Sequence, residues 1–198
     1  NVSFQVNVGD VVAIVGATGS GKSTISRLLA RTYGEYRGQI SLDGTDLVDY
    51  EIEGLRRKMA VVSQEVDLFE ATIAENISLW NPNISRADVV HAAKLAQVHD
   101  IIERLPGGYD HQVEGRGGDL SVGERQLIAI ARALAHPAPI VLLDEATASV
   151  DSITEARVEQ AIASLFAGRT VIVIAHRIST VAQSDHIVVV HEGQVVEQ

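Results

Sequence analysis

Nine residues near the start of the chain, Gly16-Ala17-Thr18-Gly19-Ser20-Gly21-Lys22-Ser23-Thr24, constrain the fold more than any other stretch. They fit G-x-x-x-x-G-K-S/T on Gly16, Gly21, Lys22 and Ser23. An apolar run, Val11–Val15, precedes them and predicts a buried strand. Ile25–Arg31 follows, with Ile25, Leu28 and Leu29 at helical spacing. Strand, glycine loop and helix together are the context in which this pattern reads as a phosphate-binding loop. The physical reason is close approach. Gly16, Gly19 and Gly21 carry no Cβ, so consecutive backbone N–H groups can turn around phosphate oxygens. A helix beginning near Lys22 adds the positive end of its dipole. In such a loop Lys22 reaches the β- and γ-phosphates, and the Ser23 hydroxyl takes a coordination position on Mg²⁺. With glycine at ordinary usage, the four fixed positions match by chance in roughly one such chain in a hundred. The flanking elements reduce that further.

At 198 residues the chain is most economically one domain with a subdomain, large enough for a substantial core. Hydrophobic residues at 46% with aromatics at only 4% predict an aliphatic α/β interior. The formal charge of −10 argues against a nucleic-acid partner, which ordinarily selects a basic excess. Without cysteine there is neither a disulfide framework nor a thiolate metal site. No apolar run reaches the roughly 18–20 residues of a membrane-spanning helix. The chain opens without Met inside a strand-like pattern, Val2–Val6, and ends inside another, Gln194–Val196. It is therefore expected to be an excised piece of a longer polypeptide, truncated at the N-terminus of the fold.

Along the chain, a strand at Gln39–Leu42 meets a hairpin turn at Asp43-Gly44. Met59–Val62 predicts a strand ending at Ser63-Gln64, and Thr72–Leu79 a helix broken by Trp80–Asn83. Ser85–Asp88 and Ser121–Glu124 have the spacing of capping boxes. They open helices with apolar positions Val89–Val98 and with good formers over Arg125–Ala135. A short helix is expected at about Asp100–Leu105. Strand Ile140–Leu143, helix Ile153–Phe166, strand Thr170–Ile174, a short helix at Ile178–Val181, strand Ile187–Val190 and turn Glu192-Gly193 complete the pattern. Alternating strands and helices imply an α/β fold with a mainly parallel sheet flanked by helices. Residues 1–71 and 137–198 would form that core, with a small antiparallel β part, and about 72–136 an inserted α-helical subdomain.

Ile140–Leu143 leads into two acids, Asp144 and Glu145. A buried parallel strand presents its last side chains at the carboxyl edge of the sheet, where ligands bind in open α/β folds. Asp144 there is placed to hold Mg²⁺ and Glu145 to polarise an attacking water. Alone, the pair is equally consistent with a helix N-cap.

Taken together, these motifs resemble the nucleotide-binding domain of ATP-binding-cassette (ABC) transporters, a P-loop NTPase fold of ABC type, over essentially the whole chain. Gly16–Thr24 resembles Walker A, and Ile140–Asp144 with Glu145 resembles Walker B. Leu120-Ser121-Val122-Gly123-Glu124 is similar to the signature LSGGQ and continues into Arg125-Gln126-Leu127. Gln64 resembles the Q-loop glutamine, Ser149-Val150-Asp151 the D-loop, and His176 the switch histidine. Leu55–Gln64, Ala74–Ile77 and Ile174–Thr180 look most like the exporter, or multidrug-type, subfamily.

The resemblance implies ATP and Mg²⁺ as ligands. Glu145, His176, Lys22 and Gln64 would be catalytic, and Ser23, Gln64 and Asp144 would face the metal. Phosphate contacts are implied for Gly16 to Thr24, Gln64 and His176. The signature residues Leu120, Ser121, Val122, Gly123 and Glu124 would close on the ATP of a second domain, with Asp151 communicating across the interface. Implied partners are that second nucleotide-binding domain and a transmembrane domain, at the cytoplasmic face of a cell membrane. The implied function is ATP hydrolysis driving export by head-to-tail dimerisation. Alternatives are a regulatory module with little hydrolysis, or a soluble non-transport ABC ATPase.

Three departures from the family pattern carry expectations. Val122 replaces Gly and Glu124 replaces Gln in the signature, and Glu124 brings negative charge towards ATP. Val113-Glu114-Gly115-Arg116-Gly117 displaces by one position the glutamate of the exporter V-G-E-R-G. No Tyr or Trp precedes Gly16 to stack on adenine.

Overall fold

The computed structural model describes residues 2–115, 117–144, 152–175 and 177–198. In chain order the elements are β1 (Val11–Val15), α1 (Lys22–Leu29), β2 (Ser41–Leu42), β3 (Thr45–Asp46), α2 (Ile52–Lys58), β4 (Met59–Val62), α3 (Ile73–Ser78), α4 (Arg86–Leu95), α5 (His99–Ile102), α6 (Val122–Ala135), β5 (Ile140–Asp144), α7 (Ser152–Phe166), β6 (Thr170–Ile174), α8 (Ile178–Val181), β7 (His186–His191) and β8 (Gln194–Glu197). The chain divides into two compact units. The first holds Asn1–Ser63, Ala138–Glu145 and Gly168–Gln198; the second holds Gln64–Pro137 and Ala146–Ala167.

The first unit is built on a six-stranded sheet of order β4-β5-β6-β1-β7-β8. Every neighbouring pair is parallel except β7 with β8, which form an antiparallel hairpin. β1 lies inside the sheet, and Val12, Ala13 and Ile14 are wholly buried, as a strand covered on both faces requires. Val12 and Ile14 share a cluster with Val188 and Val190, against which Ile25 of α1 packs. That packing fixes α1 behind β1, so the loop between them is held at both ends. A separate two-stranded ladder, β2 with β3, turns through Asp43 and Gly44, both at positive φ.

The alternation over Val2–Val6 predicts a strand, but the segment joins no ladder among the described residues. Phe4 and Val6 still pack against the β1–β7 cluster, so burial accounts for the period-two pattern without strand pairing.

The second unit is helical. It occupies most of the connection between the neighbouring strands β4 and β5. α6 is its hub, packing against α3, α4 and α7. Eight of its fourteen residues are buried, including Leu127, Ile128, Ile130 and Ala131. One isolated bridge pairs Thr72, the N-cap of α3, with Gln112 in the stretch before α6. Asn76 is fully buried and knots α3 to its own approach. Its side-chain oxygen accepts from Phe69 N–H at 2.8 Å, and its amide donates to the carbonyls of Phe69 and Thr72. Arg132 of α6 donates to the Asn76 carbonyl at 2.8 Å, and its guanidinium stands over the Phe69 ring. No helix among the described residues is long and apolar enough to cross a membrane.

Candidate functional site

The loop between β1 and α1 owes its shape to glycine. At Gly16 an added Cβ would run into the Val190 carbonyl oxygen and come within 2.9 Å of the Ser20 hydroxyl. Gly19 and Gly21 sit at φ 81° and 105°, in the left-handed region that β-carbons disfavour. Ser20 N–H donates to the Ala17 carbonyl, closing a tight turn at 3.1 Å. Gly16, Ala17, Thr18 and Gly19 are exposed at the rim, whereas Ser20 and Lys22 are buried. Lys22 folds back over the loop, and its ammonium donates to the carbonyls of Gly16 at 2.7 Å and Ala17 at 3.0 Å.

α1 starts at Gly21, which carries no capping side chain, and no acid occupies its first turn. Ser23 is half-buried in that turn, and Thr24 is exposed one residue on. The Ser20 hydroxyl is buried with no hydrogen-bond partner among the described residues. A backbone cradle, a lysine ammonium held across it and an orphaned buried hydroxyl suit a polyanionic ligand such as a nucleotide's phosphate tail. An open cavity of about 340 Å³ adjoins the loop, lined by Val15, Gly16, Ala175, Arg177, Ile178 and Val181.

Asp144 is the last residue of β5 and stands across from Ile174 of β6, which stands across from Ile14 of β1. Asp144 therefore lies on the same carboxyl edge as the glycine loop, two strands from β1 and so roughly 10 Å away at the backbone. Ser23 and Asp144 offer oxygen donors, the chemistry a hard cation such as Mg²⁺ takes. Gln64 is exposed, two residues beyond the end of β4. Glu145, Asp151 and His176 lie outside the described residues.

The signature-like stretch sits in the second unit. Leu120 is buried, and Ser121 is the N-cap of α6. Its hydroxyl accepts from Glu124 N–H at 3.3 Å, while the Glu124 carboxylate accepts from Ser121 N–H at 2.8 Å. This closes the capping box that the sequence spacing predicts. Val122 is exposed and Gly123 buried.

Arg125, which continues the signature-like run, and His111, which the sequence leaves unmarked, hold the preceding loop. Arg125 donates to the carbonyls of Gly117 at 3.0 Å and Leu120 at 2.6 Å. Gly117 has no room for a Cβ beside the Arg125 side chain. His111 engages the Asp119 carboxylate through Nε2 at 2.7 Å and faces the Pro106 carbonyl through Nδ1. The hydrogen bond to Asp119 holds the His111 pKa above its ordinary value. Burial alone would raise the Asp119 pKa, but hydrogen bonds from His111 and backbone amides outweigh it and hold the carboxyl below its usual range.

The family model described as "ABC transporter" matches residues 1–148. The chain belongs to the ABC transporter family. An ATP-dependent lipid A-core flippase of Shewanella frigidimarina is 46% identical to this ABC domain over 199 residues, covering 100% of the chain and 33% of the flippase. The mitochondrial iron-sulfur clusters transporter ABCB7 of Rattus norvegicus is 50% identical over 197 residues, covering 100% of the chain and 26% of that protein. A solved structure of a bacterial Atm1-family ABC exporter with ATP bound superposes with a TM-score of 0.90 at 46% identity. That match covers 99% of this chain and 34% of the exporter's. The chain thus spans about a quarter to a third of the length of these relatives. As an ABC ATPase domain it binds nucleotide, and its α/β sheet with helices and a small antiparallel ladder is the fold of that family.

Proposed function

We propose that this ABC domain hydrolyses ATP to drive export of a substrate by a membrane transporter. The observation that carries the reading is the glycine cradle, with Lys22 drawn across it and the bare N-terminus of α1 behind it. Relatives described as a flippase and as an exporter support the coupling to transport. In this reading the backbone of Gly16 to Thr24 binds the phosphate tail. The Lys22 ammonium exchanges its two carbonyl partners for β- and γ-phosphate oxygens. Ser23, Asp144 and Gln64 would hold Mg²⁺, which when bound neutralises charge on the phosphates.

Glu145 accepts a proton from the attacking water as the water oxygen adds to the γ-phosphorus and the bond from that phosphorus to the β–γ bridging oxygen breaks, giving ADP and inorganic phosphate. His176 donates a hydrogen bond to a γ-phosphate oxygen and orients that water. Ser121 and Gly123 at the tip of α6 face the phosphates bound by a second nucleotide-binding domain, and Asp151 reports across the interface. The domain then works as a head-to-tail dimer at the cytoplasmic face of the membrane, attached to a transmembrane domain.

Glu124 favours a second reading, in which the domain binds nucleotide and turns over slowly. Its carboxylate occupies the Ser121 N–H and adds negative charge to a tip that would meet phosphate.

Two substitutions in the full-length protein test the proposal. Lys22→Ala should abolish ATP binding; retained affinity overturns the phosphate-loop assignment. Glu145→Gln should stop steady-state hydrolysis while an ATP-bound dimer accumulates, and turnover at the parent rate removes Glu145 from its role. Parent protein that binds ATP and dimerises, yet releases almost no phosphate when coupled to its transporter, establishes the regulatory reading instead.

A further inference from the structure

The glycine loop is buttressed by a segment some 170 residues away in sequence, the β7–β8 hairpin. Gly193, in the hairpin turn, donates its N–H to the Ser20 carbonyl at 2.9 Å. A Cβ on Gly21 would sit 3.9 Å from Gly193 Cα, and one on Gly16 would strike the Val190 carbonyl of β7. The first glycine of the loop, its last glycine and the peptide between Ser20 and Gly21 thus all rest on one hairpin. The hairpin has a reason to be rigid. Glu192 and Gly193 occupy positive φ of 46° and 71°, the two central residues of a tight turn, and Val190 is buried in the cluster that holds β1.

The consequence follows from peptide planarity. In a trans peptide the carbonyl and the following N–H point in opposite directions. Holding the Ser20 carbonyl towards the hairpin therefore turns the Gly21 N–H away from it, at the start of α1 where the phosphate tail is read. We propose that the β7–β8 hairpin is a positioning element of the nucleotide site, with Gly193 setting the orientation of the Ser20–Gly21 peptide. This deepens the ATPase reading and rests on it.

The test exploits backbone conformation, since a Cβ added at Gly193 meets nothing within 4 Å. At φ 71° a β-branched residue is strained, Ala less so, and Asn tolerates the conformation. In the full-length protein, affinity for a fluorescent ATP analogue should fall by about tenfold in Gly193→Val, the order of one lost hydrogen bond. Gly193→Ala should lie between Val and the parent, and Gly193→Asn should recover most of the loss. Affinities are measured well below each variant's melting temperature. There the folded fraction is near unity, and a loss of stability alone leaves the apparent dissociation constant unmoved. Faster hydrogen exchange at the Gly21 amide in Gly193→Val should accompany the weaker binding.

If Gly193→Val fails to fold, the Ala and Asn variants still order the series. Equal affinity across the folded variants overturns the inference while leaving the ATPase reading intact. Loss of that reading shows instead as ATP binding that survives Lys22→Ala.

Discussion

Two helix N-termini in this domain face the same chemical task in opposite ways. α1 begins at a left-handed glycine with no side-chain cap among the described residues and no acid in its first turn. α6 begins at Ser121, and its capping box already occupies two of the groups a helix leaves unpaired. The difference lies in what each end is built to serve. An uncapped end gives up about 1 kcal/mol of local stability and keeps its N–H groups and dipole available to an anion. A capped end is stable by itself, and with a glutamate in it has already met one negative charge. The same contrast runs through the two units. The first leaves polar groups of its loop facing outward, whereas around Asn76 the second pairs them internally.

The largest effect should come from crowding the loop that leads into the bare end. Gly16→Ala forces a methyl group against the Val190 carbonyl, which is sheet backbone and cannot move aside. Nucleotide binding should be lost, with a fall in stability of about 2–3 kcal/mol. Fluorescent-nucleotide titration and urea unfolding check both parts. Unchanged affinity would mean that the close approach of loop and β7 is not needed for binding.

In the helical unit the fully buried Asn76 is a sensitive point. Asn76→Ala strands the Phe69 N–H and takes one donor from each of the carbonyls of Phe69 and Thr72, which keep the backbone N–H groups of Ala71 and of residue 76. The expected loss is about 1–2 kcal/mol, since the part-buried Phe69 N–H loses its partner. Trp80, the sole tryptophan, lies in the same unit and reports its unfolding by fluorescence. Nucleotide affinity should hardly change at temperatures where the unit stays folded, which separates the roles of the two units.

Ser121→Ala removes the N-cap hydroxyl of α6 and should destabilise the helical unit by about 1 kcal/mol. Glu124→Gln sharpens the comparison, because glutamine can still accept from the Ser121 N–H while the charge is gone. Its stability should stay within about 0.5 kcal/mol of the parent. If the tip of α6 meets a partner's phosphates as proposed, ATP-driven dimerisation should tighten, measurable by light scattering in the presence of ATP.

What the sequence disclosed, and what it withheld, follows the range of each interaction. The glycine loop, the strand ending at Asp144 and the capping boxes at Ser85 and Ser121 were legible because each is set by residues within a few positions of one another. The buttress of Gly193 on Ser20 was not. Its two halves are 173 positions apart, and a Glu-Gly turn carries no mark of what its N–H will touch. Arg125 and Asn76 fall in family-like runs, but their bonding roles were hidden for a related reason: both bond to backbone groups, which any residue supplies. The Val2–Val6 segment misled in the other direction. Alternating burial of Phe4 and Val6 produces a strand's pattern without a neighbouring strand.

The smallest effect concerns the loop in front of the capped helix. His111 and Asp119 tie that loop to the stretch after α5, with Glu114 adding a further favourable charge for the imidazolium. Because the folded His111 pKa is raised, the pair contributes fully below the unfolded value of about 6.5 and is lost as pH rises through the folded value. Asp119 is lowered, so its share is present above about 3.9 and disappears as pH falls through its folded value. Both contributions therefore coexist between about pH 4 and 6.5. Both side chains are partly exposed, so the pair should be worth less than about 1 kcal/mol. His111→Asn should accordingly cost more stability at pH 5.5 than at pH 8.5, followed through Trp80 in urea. The same difference measured on an Asp119→Asn background should shrink to the smaller part that Glu114 sustains. A pH-independent cost would mean that His111 holds the loop by packing and by its contact with Pro106, and that the end of α6 is as indifferent to charge around it as its closed capping box suggests.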